Sequence, residues 1–351
     1  MRDGIVEQAS RFKKSIASRD TGNYKVVEPG QLVVGFPIDE GVIYVQNFNY
    51  PGIMSPAYDV WDIDSSRVDQ SYLELALHSP QSMDYYRSNL RGTTARRRSL
   101  PTNTLCDLTF PLPSLENQRI VVKRMSMIAT LLDDAGSRLS ALDDLVKSQF
   151  VEMFGDPVSN ARGWSVATLG STCEIVTGNT PSRSDPANYG GYLEWCKTDN
   201  ITSGKYLTPA VELLSKAGAA KARSVPSGSI LMACIAGSIN SIGKVAIADR
   251  KVSFNQQINA IVPGERLNRD YLYWMLRLSK DYLCTGVNMQ LKGILNKSTL
   301  SGKEFPLPPL ALQQQFADFV ARVDKLGFDC CREIVCCGVL FSSMSASLLC
   351  T

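Results

Sequence analysis

The sequence predicts a duplicated α+β protein in which two β-rich modules are each followed by a long helix, the two helices pairing as an antiparallel coiled coil. Three observations lead there. First, Phe110-Pro-Leu-Pro-Ser-Leu115-Glu-Asn-Gln118 returns 195 residues later as Phe305-Pro-Leu-Pro-Pro-Leu310-Ala-Leu-Gln313. Second, each copy opens a run of apolar residues in alternating steps of four and three, the spacing of a coiled-coil seam. Third, the stretch between the copies breaks into short alternating apolar runs punctuated by Gly, Pro and Asn, the pattern of strands and turns. The period lies far above the roughly 20–50 residues of solenoid repeats, so each unit is a whole module plus a helix.

Length and composition agree with this division. A chain of 351 residues with 44% hydrophobic residues supports two domains. The 37 basic residues nearly balance 34 acidic ones, so any basic surface is local. Arg87, Arg91, Arg96, Arg97 and Arg98, close to Tyr85 and Tyr86, form such a cluster. The first residues lack the apolar core of a signal peptide, and the ten cysteines lack secreted-domain spacing, which points to a reducing cytoplasm. Residues 334–351 carry no charge and approach membrane-span length, but four serines interrupt them, and a helical seam explains them better.

The elements follow in order. Residues 1–109 form the first module. Its Val27-Glu-Pro-Gly30-Gln-Leu32 resembles Val225-Pro-Ser-Gly228-Ser-Ile230 at an offset of 198, so the counterpart of Trp164 would precede Met1. The first module is therefore expected to lack about 35 residues of the second, leaving sheet edges unpartnered. Residues 110–155 form the first helical spacer, with Val121, Met125, Ile128, Leu132, Ala135, Leu139, Leu142, Val146, Gln149 and Met153 on the seam and a stop at Gly155-Asp-Pro157. Residues 156–304 form the second module, with strands expected at 174–178, 229–233, 244–248 and 258–262 and a helix at 271–278. Residues 305–351 carry the second helix, whose seam runs through Phe316, Val320, Val323, Gly327, Cys330, Ile334 and Cys337.

Phe305 to Gln314, together with Gly178-Asn-Thr180-Pro181, Tyr189-Gly-Gly191, Trp195, Asp199-Asn200 and Asn255-Gln256-Gln257, resembles the specificity subunit of type I restriction-modification systems. The resemblance covers nearly the whole chain and implies that the modules are target recognition domains, each reading half of a split DNA site. It implies that the paired helices act as spacer and dock methyltransferase subunits, through which the restriction and translocase subunit joins. S-adenosylmethionine, ATP and magnesium would belong to those partners, leaving this chain without catalytic residues or a cofactor. Two departures stand out, the shortened first module and the uncharged, cysteine-rich end of the last helix. Truncated members of the family are silent cassettes or fragments completed by another chain.

Base reading needs side chains with paired donors and acceptors, while cations on phosphates supply affinity. The candidates are Arg183, Asn200, Lys205, Asn240, Lys292 and Lys297 in loops of the second module, with Arg96, Arg97 and Arg98 as a phosphate clamp. For helix pairing and partner docking they are Val121, Ile128, Leu132, Leu139, Leu142, Val146, Phe316, Val320 and Val323. Asn255-Gln256-Gln257 reads as a structural amide network. No metal site is expected, because Cys330 and Cys337 lie about 10.5 Å apart along a helix and zinc thiolates sit about 2.3 Å from the ion. A single histidine, His78, removes most Ser-His and metal-histidine schemes. The alternatives are a silent cassette, a coiled-coil scaffold that never touches DNA, and a nuclease built on Asp185, Glu194 and Lys197.

Overall fold

The structure, a computed structural model, describes residues 4–7, 10, 21–90, 99–287 and 293–347, with side chains as far as 340. It has a mixed α+β topology with two sheet-bearing regions and two long helices, Leu115–Phe154 and Leu310–Ser347. The chain forms two compact units, one built from residues up to Ser137 together with those from Cys330 on, the other from Arg138–Asp329.

In the second unit, Cys173–Thr177, Ile230–Ala233, Val245–Ile247 and Ile258–Pro263 make a four-stranded antiparallel sheet, close to the strands expected. Strand Ile230–Ala233 is apolar throughout because both faces are covered. Ile230 and Met232 face the large core under the helices, while Leu231 and Ala233 face a smaller core shared with Phe254, Cys196 and Ala260. Burial pushes the Cys196 thiol up to about 12, so it is a packing residue rather than a nucleophile. A second four-stranded sheet contains Tyr189–Cys196, a strand that the turn-like Tyr189-Gly-Gly191 hides in the sequence. Its register against Leu213–Leu214 shifts between Tyr189 and Leu193, the irregularity those glycines permit.

The first long helix is unbroken through Gly136 and ends at Phe154, where Gly155 turns left-handed at φ 81°. Forty residues give it a length of about 60 Å. Its whole seam from Val121 to Met153 is buried or half-buried. The seam does not account for Phe150 and Phe154, which are nonetheless buried. Here the helix packs on a globular core, and its stripe becomes Val146, Phe150 and Phe154 at four-residue steps. Within this unit the long helices run antiparallel, since Phe150 and Phe154 meet Phe316 while Gly327 faces Leu139 and Leu142. On the second helix Cys330 is buried and Cys337 half-buried, whereas Cys331 and Cys336, off the seam, are exposed.

In the first unit, Ile43–Val45, Leu32–Val34 and Asp59–Trp61 make a three-stranded sheet covered by the helices Gln70–Leu77 and Pro80–Asn89. His78, after the first of these, packs against Tyr44 and bonds to the carbonyls of Glu74 and Gly41. The repeat is visible here atom by atom. Buried Gln118 accepts from the Asp69 amide (2.7 Å) and donates to the carbonyls of Arg67 (3.0 Å) and Pro113 (2.7 Å). Gln313 does the same with Asn268 (2.8 Å), Arg266 (3.1 Å) and Pro308 (2.8 Å). Tyr72 and Tyr271 likewise donate their hydroxyls to Pro111 and Pro306.

The glutamine thus ties the short helix, the Pro-rich entry and the long helix together. Replacing Gln313 by Leu strands one amide and two carbonyls, so the second unit is expected to lose about 2–3 kcal/mol. Urea unfolding of the full chain measures this, and an unchanged midpoint would show that the three groups find other partners.

Candidate nucleic-acid interface

The candidate loops of the second unit separate into residues spent inside the fold and residues left outside it. Asn200 belongs to the first kind. Its Oδ1 accepts from the Lys197 amide at 2.9 Å and its Nδ2 donates to the Pro209 carbonyl at 3.0 Å, so both ends hold the turn Thr198–Asn200. Lys205 is a second correction. Its Nζ lies 2.6 Å from Asp324 Oδ2, and 2.7 Å from Asp270 Oδ1 in an ion pair rather than an aligned hydrogen bond. Burial alone would lower the Lys205 pKa, but Asp270 and Asp324 outweigh it and hold the ammonium above its ordinary range. A cation neutralised by two carboxylates has little left for a phosphate.

Asn240 and Lys297 are exposed. The ribbon of Ile235–Ala236 with Gly293–Ile294 ties the segments that carry them, and Lys280 donates to the Asn240 carbonyl at 2.7 Å. Asn296 caps the helix that Lys297 opens by accepting from the Thr299 amide. Arg96, Arg97, Arg98 and Lys292 lie outside the described residues.

Arg183 is exposed, with its guanidinium 5.1 Å from the centre of the Trp195 ring and 2.8 Å from Glu212 Oε2. Lys197 meets the other oxygen of Glu212 and the same indole. The bond from Lys197, with that from Arg183 behind it, holds the Glu212 carboxyl below its ordinary range, so the cluster keeps one net positive charge around an aromatic ring. Lys197 and Glu212 are not among the sequence candidates for this role. Nor are the exposed Tyr192 and Tyr206, beside which Lys216 and Lys205 sit at cation–π distance. Aromatic residues interleaved with lysines between 192 and 216 were the available signal.

Asn255-Gln256-Gln257 forms a tight turn. Asn255 accepts from the Gln257 amide and donates to its side chain, each at 3.0 Å, and Thr180 donates to Gln256. The turn lies so close to the end of strand Cys173–Thr177 that a Cβ on Gly178 would stand 2.1 Å from the Asn255 carbonyl oxygen. Asp185, Glu194 and Lys197 are engaged separately, with Lys221, Arg250 and Glu212 respectively. The bonds from Arg250 hold the Glu194 carboxyl below its ordinary range. Among the described residues no group of three or more His, Cys, Asp or Glu is placed to hold a metal. No described helix is long and apolar enough to cross a membrane.

Part of the chain is similar to known proteins. Residues 161–332 match the type I restriction modification DNA specificity domain. The chain is 31% identical over 155 residues to the type I restriction enzyme HindI specificity subunit of Haemophilus influenzae, covering 42% of this chain and 32% of that one. It is 27% identical over 175 residues to the MjaIX specificity subunit of Methanocaldococcus jannaschii, covering 47% and 39%. Each match thus spans well under half of the relative's length. The fold is similar to the crystal structure of the type I restriction-modification S subunit from M. genitalium, with a TM-score of 0.56 and 13% identity over 92% of this chain and 83% of that one. Residues 161–332 are thus similar to the DNA specificity domain of type I restriction-modification systems, and the relatives matched are specificity subunits of such systems.

Proposed function

We propose that the chain is the non-catalytic DNA-specificity subunit of a type I restriction-modification assembly. The second target recognition domain, within 156–304, reads one half of a split site, and residues 1–109 contribute to the other. The observation that carries this reading is that the matched specificity domain falls on the compact unit whose surface offers Arg183, Asn240, Lys297 and exposed tyrosines. Arg183, on an aromatic platform, suits base contact, and Lys297 suits a phosphate. The helical regions 110–155 and 305–351 space the readers and dock methyltransferase subunits. S-adenosylmethionine, ATP and magnesium are bound by those subunits and by the restriction and translocase subunit.

Retention of duplex DNA by the full chain, measured against salt, tests the interface. Lys297→Ala is expected to weaken retention equally on all sequences and to reduce the salt slope by about 1. Salt-independent retention, or none at low salt, would sink the reading. On the helices, Leu139 is half-buried and faces Gly327. Leu139→Asp is expected to abolish co-purification of the methyltransferase subunit while the second recognition domain stays folded, and unchanged co-purification would reject the docking role.

A further inference from the structure

Glu212 is an acid between two cations on the proposed DNA face, where a carboxylate repels phosphate. It sits opposite Trp195 in the sheet, the Trp195 amide donating to the Glu212 carbonyl at 3.0 Å. One carboxylate oxygen takes Nη2 of Arg183 at 2.8 Å and the other takes Nζ of Lys197. The ion pair on Glu194, the residue before Trp195, is built differently. Arg250 sets Nε and Nη2 on the two oxygens of Glu194 at 2.6 and 2.7 Å, and also donates to the carbonyls of Leu207 and Thr208. Glu194 thus serves one cation whose donors are taken up inside the fold, whereas Glu212 is divided between two.

Arg183 is fixed from behind. The Tyr189 hydroxyl donates to the Pro181 carbonyl at 2.9 Å and Asn188 Nδ2 to the Ser182 carbonyl at 3.0 Å, which pins the loop that leads into Arg183. Its guanidinium lies 5.5 Å from the centre of the Tyr189 ring and 5.1 Å from that of Trp195, whose own indole donates to the Asn179 carbonyl. Trp195 is 3% exposed and the Arg183 side chain 56%, so the rings are the floor and the guanidinium is the surface. Among the described residues Arg183 makes a single hydrogen bond, the one to Glu212. A flat fork with one corner tied and its other donors open is set for two bonds to a base edge. Untied, the same guanidinium would be free to follow the nearest phosphate.

We propose that Glu212 is a positioning residue for base reading by the second unit. It fixes the Arg183 fork on the Trp195 and Tyr189 rings and cancels one of the two charges that would otherwise bind backbone phosphates. The inference rests on the DNA-reading function proposed above. It gives Glu212 a sign opposite to that of an ordinary contact residue, since removing its charge strengthens binding to DNA at large and weakens the preference among sequences. Lys197 supplies the charge that remains and takes no part in the preference.

The test is retention of a pool of random-sequence duplexes by the full chain, with the retained fraction sequenced and retention of the unselected pool followed against salt. Glu212→Gln is expected to hold the unselected pool more tightly, with a salt slope steeper by about 1. Its enrichment at the positions that Arg183→Ala also loses should fall about tenfold. Lys197→Ala should do the reverse, holding the pool less tightly with a slope shallower by about 1 and enriching the same bases as the wild type. Unchanged enrichment by Glu212→Gln would overturn the proposal, and so would lost enrichment by Lys197→Ala. Parallel loss of pool retention and enrichment in Glu212→Gln would also overturn it, because that is what a merely structural ion pair produces. A wild-type chain that enriches no sequence would overturn the DNA-reading function itself, an outcome distinct from these three.

Discussion

Phe150→Ala is expected to remove about 3–5 kcal/mol from the stability of the second unit, a large share of the roughly 5–15 kcal/mol that a domain possesses. Phe150 is fully buried among three rings, 5.0 Å from Phe154, 5.5 Å from Tyr271 and 5.4 Å from Phe316. Truncation leaves a cavity bounded by the first long helix, the second long helix and the short helix Arg269–Leu278, none of which can close it without moving the others. Trp164, whose indole donates to the Phe154 carbonyl at 2.9 Å, reports on this region by fluorescence during urea unfolding. Phe328→Ala serves as the comparison. That ring is 65% exposed, and its loss should cost no more than about 0.5 kcal/mol. Equal midpoints for the two variants would contradict the packing described.

The second large effect concerns the ion pairs that fasten the short helix Arg269–Leu278 at both ends. At its start, Asp270 meets Lys205, which also holds Asp324 of the second long helix. At its end, Arg277 grips Asp143 of the first long helix through both terminal guanidinium nitrogens, Nη1 and Nη2, one bond being 3.0 Å, and lies 4.8 Å from the centre of the Trp274 ring. Lys205 and Asp270 are 13% and 9% exposed, so removing one partner leaves a charge in a poorly solvated place.

Lys205→Ala is expected to cost toward the lower end of about 3–5 kcal/mol, since Arg269 still faces Asp270 at 2.8 Å. The pH dependence has a definite sign. The Lys205 pKa is raised, so its contribution is complete below the ordinary 10.5 and is lost as the pH rises through the higher folded value. The gap between wild-type and variant midpoints should therefore stay constant from neutral pH to 10.5 and narrow above it. Asp143 works the other way. Burial alone would raise its pKa, but Arg277 and Lys147 outweigh burial and lower it below the ordinary 3.8, so its contribution is lost as the pH falls through the depressed value. An unchanged midpoint for Lys205→Ala at neutral pH would mean that water already reaches the pair.

Much of this fold was legible because it depends on period. The duplicated Phe-Pro-Leu-Pro phrase, the seam from Val121 to Met153 and the four apolar strands of the second module all reappear with shifts of a residue or two. Phe150 and Phe154 escaped because a heptad assumes a helix facing only another helix, whereas here the helix also meets Tyr271. Strand Tyr189–Cys196 escaped because its two glycines imitate a turn.

The candidate site was less legible for a different reason. A polar residue in a glycine-containing loop reads the same whether it points outward, as Lys297 does, or is spent inward, as Lys205 and Asn200 are. Only the partners decide, and Asp270 and Asp324 lie 65 and 119 positions from Lys205. The repeated Gln118 and Gln313 were visible as letters, but their three shared bonds were not.

Modification-sensitive sequencing of DNA from cells that express this chain with a type I methyltransferase subunit tests the central claim most directly. A DNA-specificity subunit should yield methylated adenines within one split motif, and Arg183→Ala should relax or abolish the half read by the second unit. Unmodified DNA in cells where the methyltransferase subunit still co-purifies with the chain would contradict it.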